Sequence, residues 1–325
     1  MTSEPRVGLF GEPADLQVQA VAAGVEAAGG IPFLVDLSAF PSRGTLHLEI
    51  PMDGREPSIR YQGTELLECG AFYVRSLGYF WPVPTREVSA EEWAQWHGRF
   101  YDFLTVERER LSTIHSVHRI LGEERFVVNP YESYAYHDFK PYQWDLLERA
   151  GLPVPEFLAS NDPAALERFY EEAKGEVVAK PGSGGEEVKK ADPAAWRGQT
   201  ILARRPILLQ RFVPGENYRA YVVGDEVVAA LRIHHGPQVD SRVEVLRLEC
   251  VRLPAPAEEI AVRTARALSM RFSGVDLQRH VEEDRFYVLE ANPSPMFVFQ
   301  EFDGSEVARA LGRYLVRGAR GEPPA

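Results

Sequence analysis

The sequence predicts a mixed α/β (α+β) fold of three lobes, on three observations. A short apolar run at residues 7–10 ends at Gly11, an Ala- and Val-rich stretch at 14–28 has helical spacing and closes at Gly29 and Gly30, and a second apolar run occupies 31–35. Strand, helix and strand in that order call for a parallel pair with a right-handed crossover. In the last third, apolar strands alternate with turns, the pattern of hairpins. The 325 residues, 45% apolar and 26% charged, are enough to bury a sizeable core, and at roughly 150 residues per domain they divide into two or three units.

In order along the chain, the polar segment at 51–57 reads as a hairpin or excursion and 71–74 as a further strand. From 90 to 121 the spacing is helical, with Ser89 as the N-cap and Glu91 and Glu92 in the first turn. Val127 and Val128 run into Asn129 and Pro130, a domain boundary. A helix over 141–150 is stopped by Gly151, Pro153 and Pro155. Strands are expected at 157–159 and 176–179, flanking a helix that starts at Pro163, and then at 207–213, 218–223 and 227–233. A helix at 258–270 precedes a hairpin of 275–278 with 286–290, whose tip is 282–284, and a last helix covers 305–315.

Charge and cysteine content narrow the function. Lysine and arginine total 36 against 48 aspartate and glutamate, a net charge of −12, which argues against general affinity for nucleic acid or an anionic membrane. Cys69 and Cys250 are too few for a disulfide framework or a four-cysteine zinc site, and point to a reducing, cytoplasmic setting. No basic stretch followed by a long apolar run opens the chain, so no signal peptide is expected, and no window has the ~18 apolar residues of a membrane span.

Three constellations could carry chemistry. In the first, a strand delivers Lys180 into a turn of Pro181, Gly182, Ser183, Gly184 and Gly185. Glycines let backbone amides approach an anion, and the lysine adds a compact positive charge. A plain β-turn with a solvated lysine is the competing reading. In the second, Asp276 and the pair Glu290 and Asn292 lie on adjacent strands, and two-residue spacing sets the pair on one strand face. Such oxygen donors suit Mg²⁺ completed by phosphate oxygens, whereas the bland reading has them capping turns. In the third, Arg219 and Arg232 sit in apolar strands on either side of a turn at Gly224 and Asp225. Each needs an anionic partner, a phosphate or carboxylate of a ligand or an internal acid.

Taken together, Lys140 ahead of the helix ending in Gly151, Leu152, Pro153, Val154 and Pro155, strand-borne Lys180 with its glycines, the segment Gln210, Arg211, Phe212 and Val213, Arg219, Arg232, and the set Asp276, Glu290 and Asn292 resemble the ATP-grasp superfamily. The nearest branch is similar to the RimK-like carboxylate–amine ligases, which include glutamate ligases and peptide maturases, and the resemblance runs from about Asn129 to Leu315. It implies an ATP-grasp fold with nucleotide held between two sheet-containing lobes: an N-terminal Rossmann-like pre-ATP-grasp domain at 1–130, a central lid lobe at 131–205, a C-terminal lobe with the metal site at 206–318, and a flexible tail at 319–325.

By the same resemblance, Lys140, Lys180 and the Gly182, Ser183, Gly184 and Gly185 turn contact ATP phosphates. Gln210, Arg211, Phe212 and Val213 pass the adenine, and Glu216 holds the ribose. Arg219 and Arg232 line the reacting end as the catalytic cations, while Asp276, Glu290 and Asn292 hold Mg²⁺, with Mn²⁺ as its alternative. The implied reaction joins a carboxylate to an amine (an amino acid, peptide or protein side chain) through an acyl phosphate. An ATP-grasp small-molecule kinase and a non-catalytic nucleotide-binding protein are the alternatives, and assembly into a homo-oligomer stays open. Arg211, in a position where the family carries an acid, and the Glu186 and Glu187 pair beside the glycines depart from the pattern. Weaker signals are Arg75 at a strand end, His234 and His235 after Arg232, Asp240 beyond them, and His115 with His118, a satisfied or surface pair sooner than a zinc site.

Overall fold

The computed structural model describes residues 4–38, 40–41, 44–76, 90–91, 99–181, 187–197, 205–241, 243–299 and 301–322. Two compact units account for them, Met1–Tyr131 with Ala308–Ala325, and Glu132–Val307.

The first unit begins with β1 (Arg6–Phe10), α1 (Leu16–Ala27) and β2 (Ile31–Val35), the expected parallel βαβ arrangement. Asp15 caps α1 by accepting the Gln17 amide at 2.7 Å, and Gly29 ends it at φ +79°. The excursion at 51–57 links β3 (Leu46–Glu49) to β4 (Ser58–Tyr61), which pairs in turn with β5 (Thr64–Glu65). β6 (Ala71–Val74), α2 (Phe100–Glu124) and β7 (Phe126–Val128) complete a parallel sheet of order β2-β1-β6-β7. Residues 90 and 91 are helical, whereas the expected cap Ser89 lies outside the described residues.

In the second unit, α3 (Tyr131–Asp138) and α4 (Lys140–Arg149) precede a small antiparallel sheet. β8 (Phe157–Ser160), α5 (Pro163–Glu172), β9 (Val177–Lys180), β10 (Lys189–Lys190), α6 (Ala194–Arg197) and β11 (Ile207–Arg211) build it, in the order β10-β9-β11-β8. Its core holds Leu166, Val177, Trp196, Ile207 and Leu209. A larger antiparallel sheet follows from β12 (Gly215–Val223), β13 (Glu226–His235), β14 (Val245–Cys250), β15 (Phe272–His280) and β16 (Phe286–Asn292), ordered β14-β13-β12-β15-β16. One of its faces packs on α4 and on α7 (Ala255–Ala267) through Trp144, Leu147, Ala257, Ala261, Leu277 and Val288.

α7 starts three residues earlier than expected because Pro256 is tolerated in a first helical turn. β10 and α3 have no counterpart in the sequence reading. β10 is two exposed lysines, and α3 shows no apolar stripe to announce it. β14 was also unanticipated, because as an edge strand it leaves Val245 and Leu246 exposed and breaks the usual in–out alternation. The last helix, α8 (Ser305–Ala319), runs four residues beyond the expected end. It meets α1 closely in the first unit, where a Cβ on Gly24 would lie 2.2 Å from the Ala308 carbonyl oxygen and one on Gly312 would lie 2.2 Å from the Gly24 backbone. Among the described residues, no helix is long and apolar enough to cross a membrane.

Candidate functional site

Strand register assembles the centre of the site. Arg219 on β12 stands opposite Asp276 on β15, which stands opposite Glu290 on β16, so three charged side chains form a row across the sheet. Asn292 pairs with Gly274, one step along the same face. Arg219 grips Asp276 with both ends of its fork, Nε to Oδ1 at 2.7 Å and a terminal nitrogen to Oδ2 at 2.8 Å. The Asp276 carboxylate raises the pKa of the Arg219 guanidinium further above its ordinary range, against the pull of burial. Asn292 Oδ1 accepts the Ser294 amide at 2.8 Å, so it caps a turn as well as facing the row.

Helix α4 holds the outer edge of β16. The Gln143 amide both donates to the Ala291 carbonyl at 3.0 Å and accepts the Ala291 N–H at 2.9 Å, standing in for a neighbouring strand. The Trp144 indole donates to the carbonyl of Leu289 at 2.8 Å. Leu289 is the extra residue of a β-bulge, since Asp276 pairs with Glu290 and Leu277 with Val288. Lys140 at the start of α4 is paired with Glu290. Lys180, at the end of β9, lies over the Trp144 ring with its Nζ 5.3 Å from the centroid. Burial pushes the Glu290 carboxyl up, but the Lys140 and Lys180 ammonium groups outweigh it and hold the pKa at about 2.

His137 on α3 belongs to this group and was not anticipated. It is shielded from solvent, which lowers its pKa against the opposing effect of Glu290, and its Nδ1 has no partner among the described residues. A lone histidine in a polar helix carries no motif, so only the fold reveals it.

Contrary to the expectation, the second arginine and Glu216 lie on the other face of the sheet, because Arg232 stands opposite Tyr218 and Tyr218 opposite Leu277, on the core side. Arg232 pairs with Glu216 on β12, which also accepts the Tyr218 hydroxyl at 2.7 Å and lies 3.5 Å from Arg279. Glu216 is consequently held below the usual carboxylate range, chiefly by the Tyr218 hydrogen bond. Both arginines singled out in the sequence thus carry an internal acid. Gln210 is buried, and its Nε2 finds no acceptor among the described residues. The amides of Arg211 and Phe212 donate to the Glu156 and Glu176 carbonyls, the Arg211 side chain is exposed 3.4 Å from Glu156, and Val213 is buried. Gly182, Ser183, Gly184 and Gly185 lie outside the described residues.

The weaker signals resolve into local contacts. Arg75 bonds Asp15 at 2.8 Å, and His234 meets Glu249 at 2.7 Å. His235 meets Asn217 at 2.7 Å, on the face that carries Arg219. Asp240 accepts the Val188 amide at 2.9 Å, joining the β13–β14 connection to the segment before β10. His118 bonds the Asn129 carbonyl through Nε2 and His115 the Tyr131 hydroxyl, so each ring has a local partner.

Within the row and its surroundings, two carboxylates face three cations, Lys140, Lys180 and Arg219. That excess fits an anion. No cluster of three His, Cys, Asp or Glu side chains that could hold a metal occurs among the described residues. A cation here would therefore rest on two carboxylates, one amide and oxygens of a bound anion, the partial shell that Mg²⁺ accepts. Ionised carboxylates keep acceptor capacity beyond the bonds they already make.

Comparison with known proteins finds matches over much of the chain. A RimK-like ATP-grasp domain model matches residues 138–314. A probable alpha-L-glutamate ligase of Mannheimia succiniciproducens is 34% identical over 128 residues, which cover 37% of this chain but only 42% of that protein. Another, from Psychromonas ingrahamii, is 25% identical over 295 residues, 86% of each chain. Among solved structures, the ATP-grasp ligase PsnB, complexed with a phosphomimetic variant of minimal precursor, Mg and ADP, superposes with a TM-score of 0.80 at 29% identity, over 96% of this chain and 98% of that one.

Proposed function

Since the chain belongs to the RimK-like ATP-grasp family, we propose that it is an ATP-dependent ligase joining a carboxylate to an amine through an acyl phosphate, with release of ADP and phosphate. The observation that carries this reading is the row Arg219, Asp276 and Glu290, backed by Lys140 and Lys180. ATP with Mg²⁺ supplies the phosphoryl group that activates the substrate carboxylate. Asp276, Glu290 and Asn292 are the residues to hold the ion, with Mn²⁺ as a substitute, and Lys140 and Lys180 are those to meet the phosphates. Gln210, whose buried Nε2 finds no acceptor among the described residues, has hydrogen-bonding capacity for the base.

Arg219 is oriented by Asp276 and so presents a fixed positive charge where the carboxylate oxygens gather negative charge. Arg232, on the opposite face of the sheet from this row, is not among the groups proposed to meet the reacting atoms. Gln143 and Trp144 keep β16 rigid, so Glu290 and Asn292 hold their spacing during the reaction. The substrates proposed are a carboxylate and an amine on an amino acid, peptide or protein side chain. Glutamate ligases among the relatives and a precursor bound to PsnB support that class. We assign Met1–Tyr131 with Ala308–Ala325 as the N-terminal domain, so that the expected tail and the end of the expected metal-bearing lobe belong to it, and propose 132–205 as the lid lobe and 206–307 as the metal-bearing lobe.

The test supplies ATP, Mg²⁺ and panels of carboxylates with amines. ADP and free phosphate should appear, together with a product lighter by one water than the two substrates combined, and hydroxylamine should trap a hydroxamate. A stable phosphorylated product without free phosphate would establish a kinase instead. Nucleotide binding with no turnover on any pair would leave a binding protein.

A further inference from the structure

Two amide side chains lie beside the charged row with hydrogen-bonding capacity to spare. Asn217 on β12 stands opposite Gln278 on β15, two residues along the same face from Arg219 and Asp276. Two residues of strand set them about 6.7 Å from that pair. Gln278 is only 7% exposed, and its side-chain amide makes no hydrogen bond among the described residues. A shielded amide left without a partner is costly, so neither a solvated surface nor a structural role accounts for it.

Asn217 has one partner, and that partner sets its orientation. His235 Nδ1 lies 2.8 Å from the Gly236 carbonyl oxygen, which can only accept, so this nitrogen carries a proton. In the neutral ring Nε2 is then the acceptor, and the Asn217 group 2.7 Å from it is the NH2. Asn217 Oδ1 is thereby turned away from His235, and it accepts no hydrogen bond among the described residues. The nearby acids are already engaged, Asp276 by Arg219 and Glu290 by Lys140.

We propose that Asn217 Oδ1 and Gln278 Oε1 form the subsite for the incoming primary amine, a role that rests on the ligase reading. His235 is the positioning residue that keeps Asn217 turned. An amine attacks only as the free base, and a carboxylate partner would favour its charged ammonium form instead. Uncharged amide oxygens accept the two N–H bonds and leave the lone pair free to face the row. Nitrogen then bonds the acyl carbon of the acyl phosphate. The bond from that carbon to the phosphate oxygen breaks with its electron pair on oxygen, and the proton lost from nitrogen ends on the departing phosphate.

Hydroxylamine and N-methylhydroxylamine are the amine probes, given to the full chain with ATP, Mg²⁺ and a carboxylate that supports ADP release. The native chain should favour hydroxylamine, which offers two N–H bonds, over its N-methyl derivative, which offers one. Asn217→Leu and Gln278→Met should each raise the KM for hydroxylamine about fivefold, the effect of one lost hydrogen bond, and narrow that preference. Carboxylate-dependent ADP formation without amine should stay unchanged in both. His235→Ala should raise the same KM but add nothing to Asn217→Leu, because it acts through that residue; it serves if Gln278→Met melts early. An unchanged KM in both amide variants, amine-free ADP formation lost in step with hydroxamate, or additive effects of His235→Ala and Asn217→Leu would overturn the proposal and leave the ligase reading standing. A native chain that releases no ADP with any carboxylate would overturn both.

Discussion

Replacing Glu290 by glutamine keeps its shape, removes one charge and strands the Lys140 ammonium, whose side chain is only 8% exposed. A carboxyl brought from 4.5 to about 2 corresponds to roughly 3 kcal/mol of stability at neutral pH. Glu290 keeps 23% of its side-chain surface in contact with solvent, which reduces the expected loss to about 2 kcal/mol. For a unit of this size the melting temperature should fall by roughly 4–8 °C. The sign of the pH dependence follows from the depressed folded-state pKa: the contribution is complete above about pH 5 and is lost as pH falls toward 2. Circular dichroism melts of the two proteins without nucleotide should therefore differ at pH 7, draw together as pH falls below about 5 and converge only near pH 2. Turnover of Glu290→Gln should drop at least ~100-fold, the order for loss of one group that stabilises a transition state. Equal melting at pH 7, a gap that persists in acid, or near-normal turnover would each refute the reasoning.

Lys180→Met should raise the Kd for ATP while costing about 1–2 kcal/mol of nucleotide-free stability, from its contact with the Trp144 ring and its attraction to Glu290; a markedly larger loss of stability would make Lys180 structural. Tyr218→Phe removes the strongest influence lowering Glu216, so carbon-detected titration should find that carboxyl at higher pH, and an unmoved value would mean the arginines alone control it. Gly312→Ala should destabilise by about 1–3 kcal/mol in denaturant unfolding, because its Cβ would overlap the Gly24 backbone. No change there would mean α1 and α8 separate freely.

The site was legible where chemistry and local spacing coincide. Glu290 and Asn292 two apart, Asp276 on a preceding apolar run, and Lys180 at a strand end all stand out in one dimension, as does the hairpin that joins β15 to β16. What one dimension lacks is the pairing between strands. Arg219 and Arg232 each advertised a need for an anion, but that Asp276 and Glu216 answer it depends on register across β12, β13 and β15. Gln143 and Trp144 read as ordinary helix residues, although they bond the backbone of β16. His137 is marked only by its burial and its neighbours. Elements such as β10 and β14 escaped because their side chains face water and leave little hydrophobic pattern.

The extra residue in β16 changes the phase of the strand. Ahead of Leu289, the even-numbered Val288 faces the core beside Leu277; beyond it, Ala291 takes the core position beside Val275, and Glu290 and Asn292 cross to the face of Asp276. Loss of Leu289 would restore simple alternation and leave Glu290 opposite Asp276 and Ala291 opposite Val275, whereas loss of Ala291 would bring Asn292 opposite Val275 and into the apolar layer. Changes of length at the hairpin tip have no such effect, since the bulge lies between the tip and the charged row, and doubling a loop costs only about 0.6 kcal/mol. The hairpin should therefore accept insertions at 281–285 and tolerate loss of Leu289, and reject loss of Ala291 between the two ligand positions.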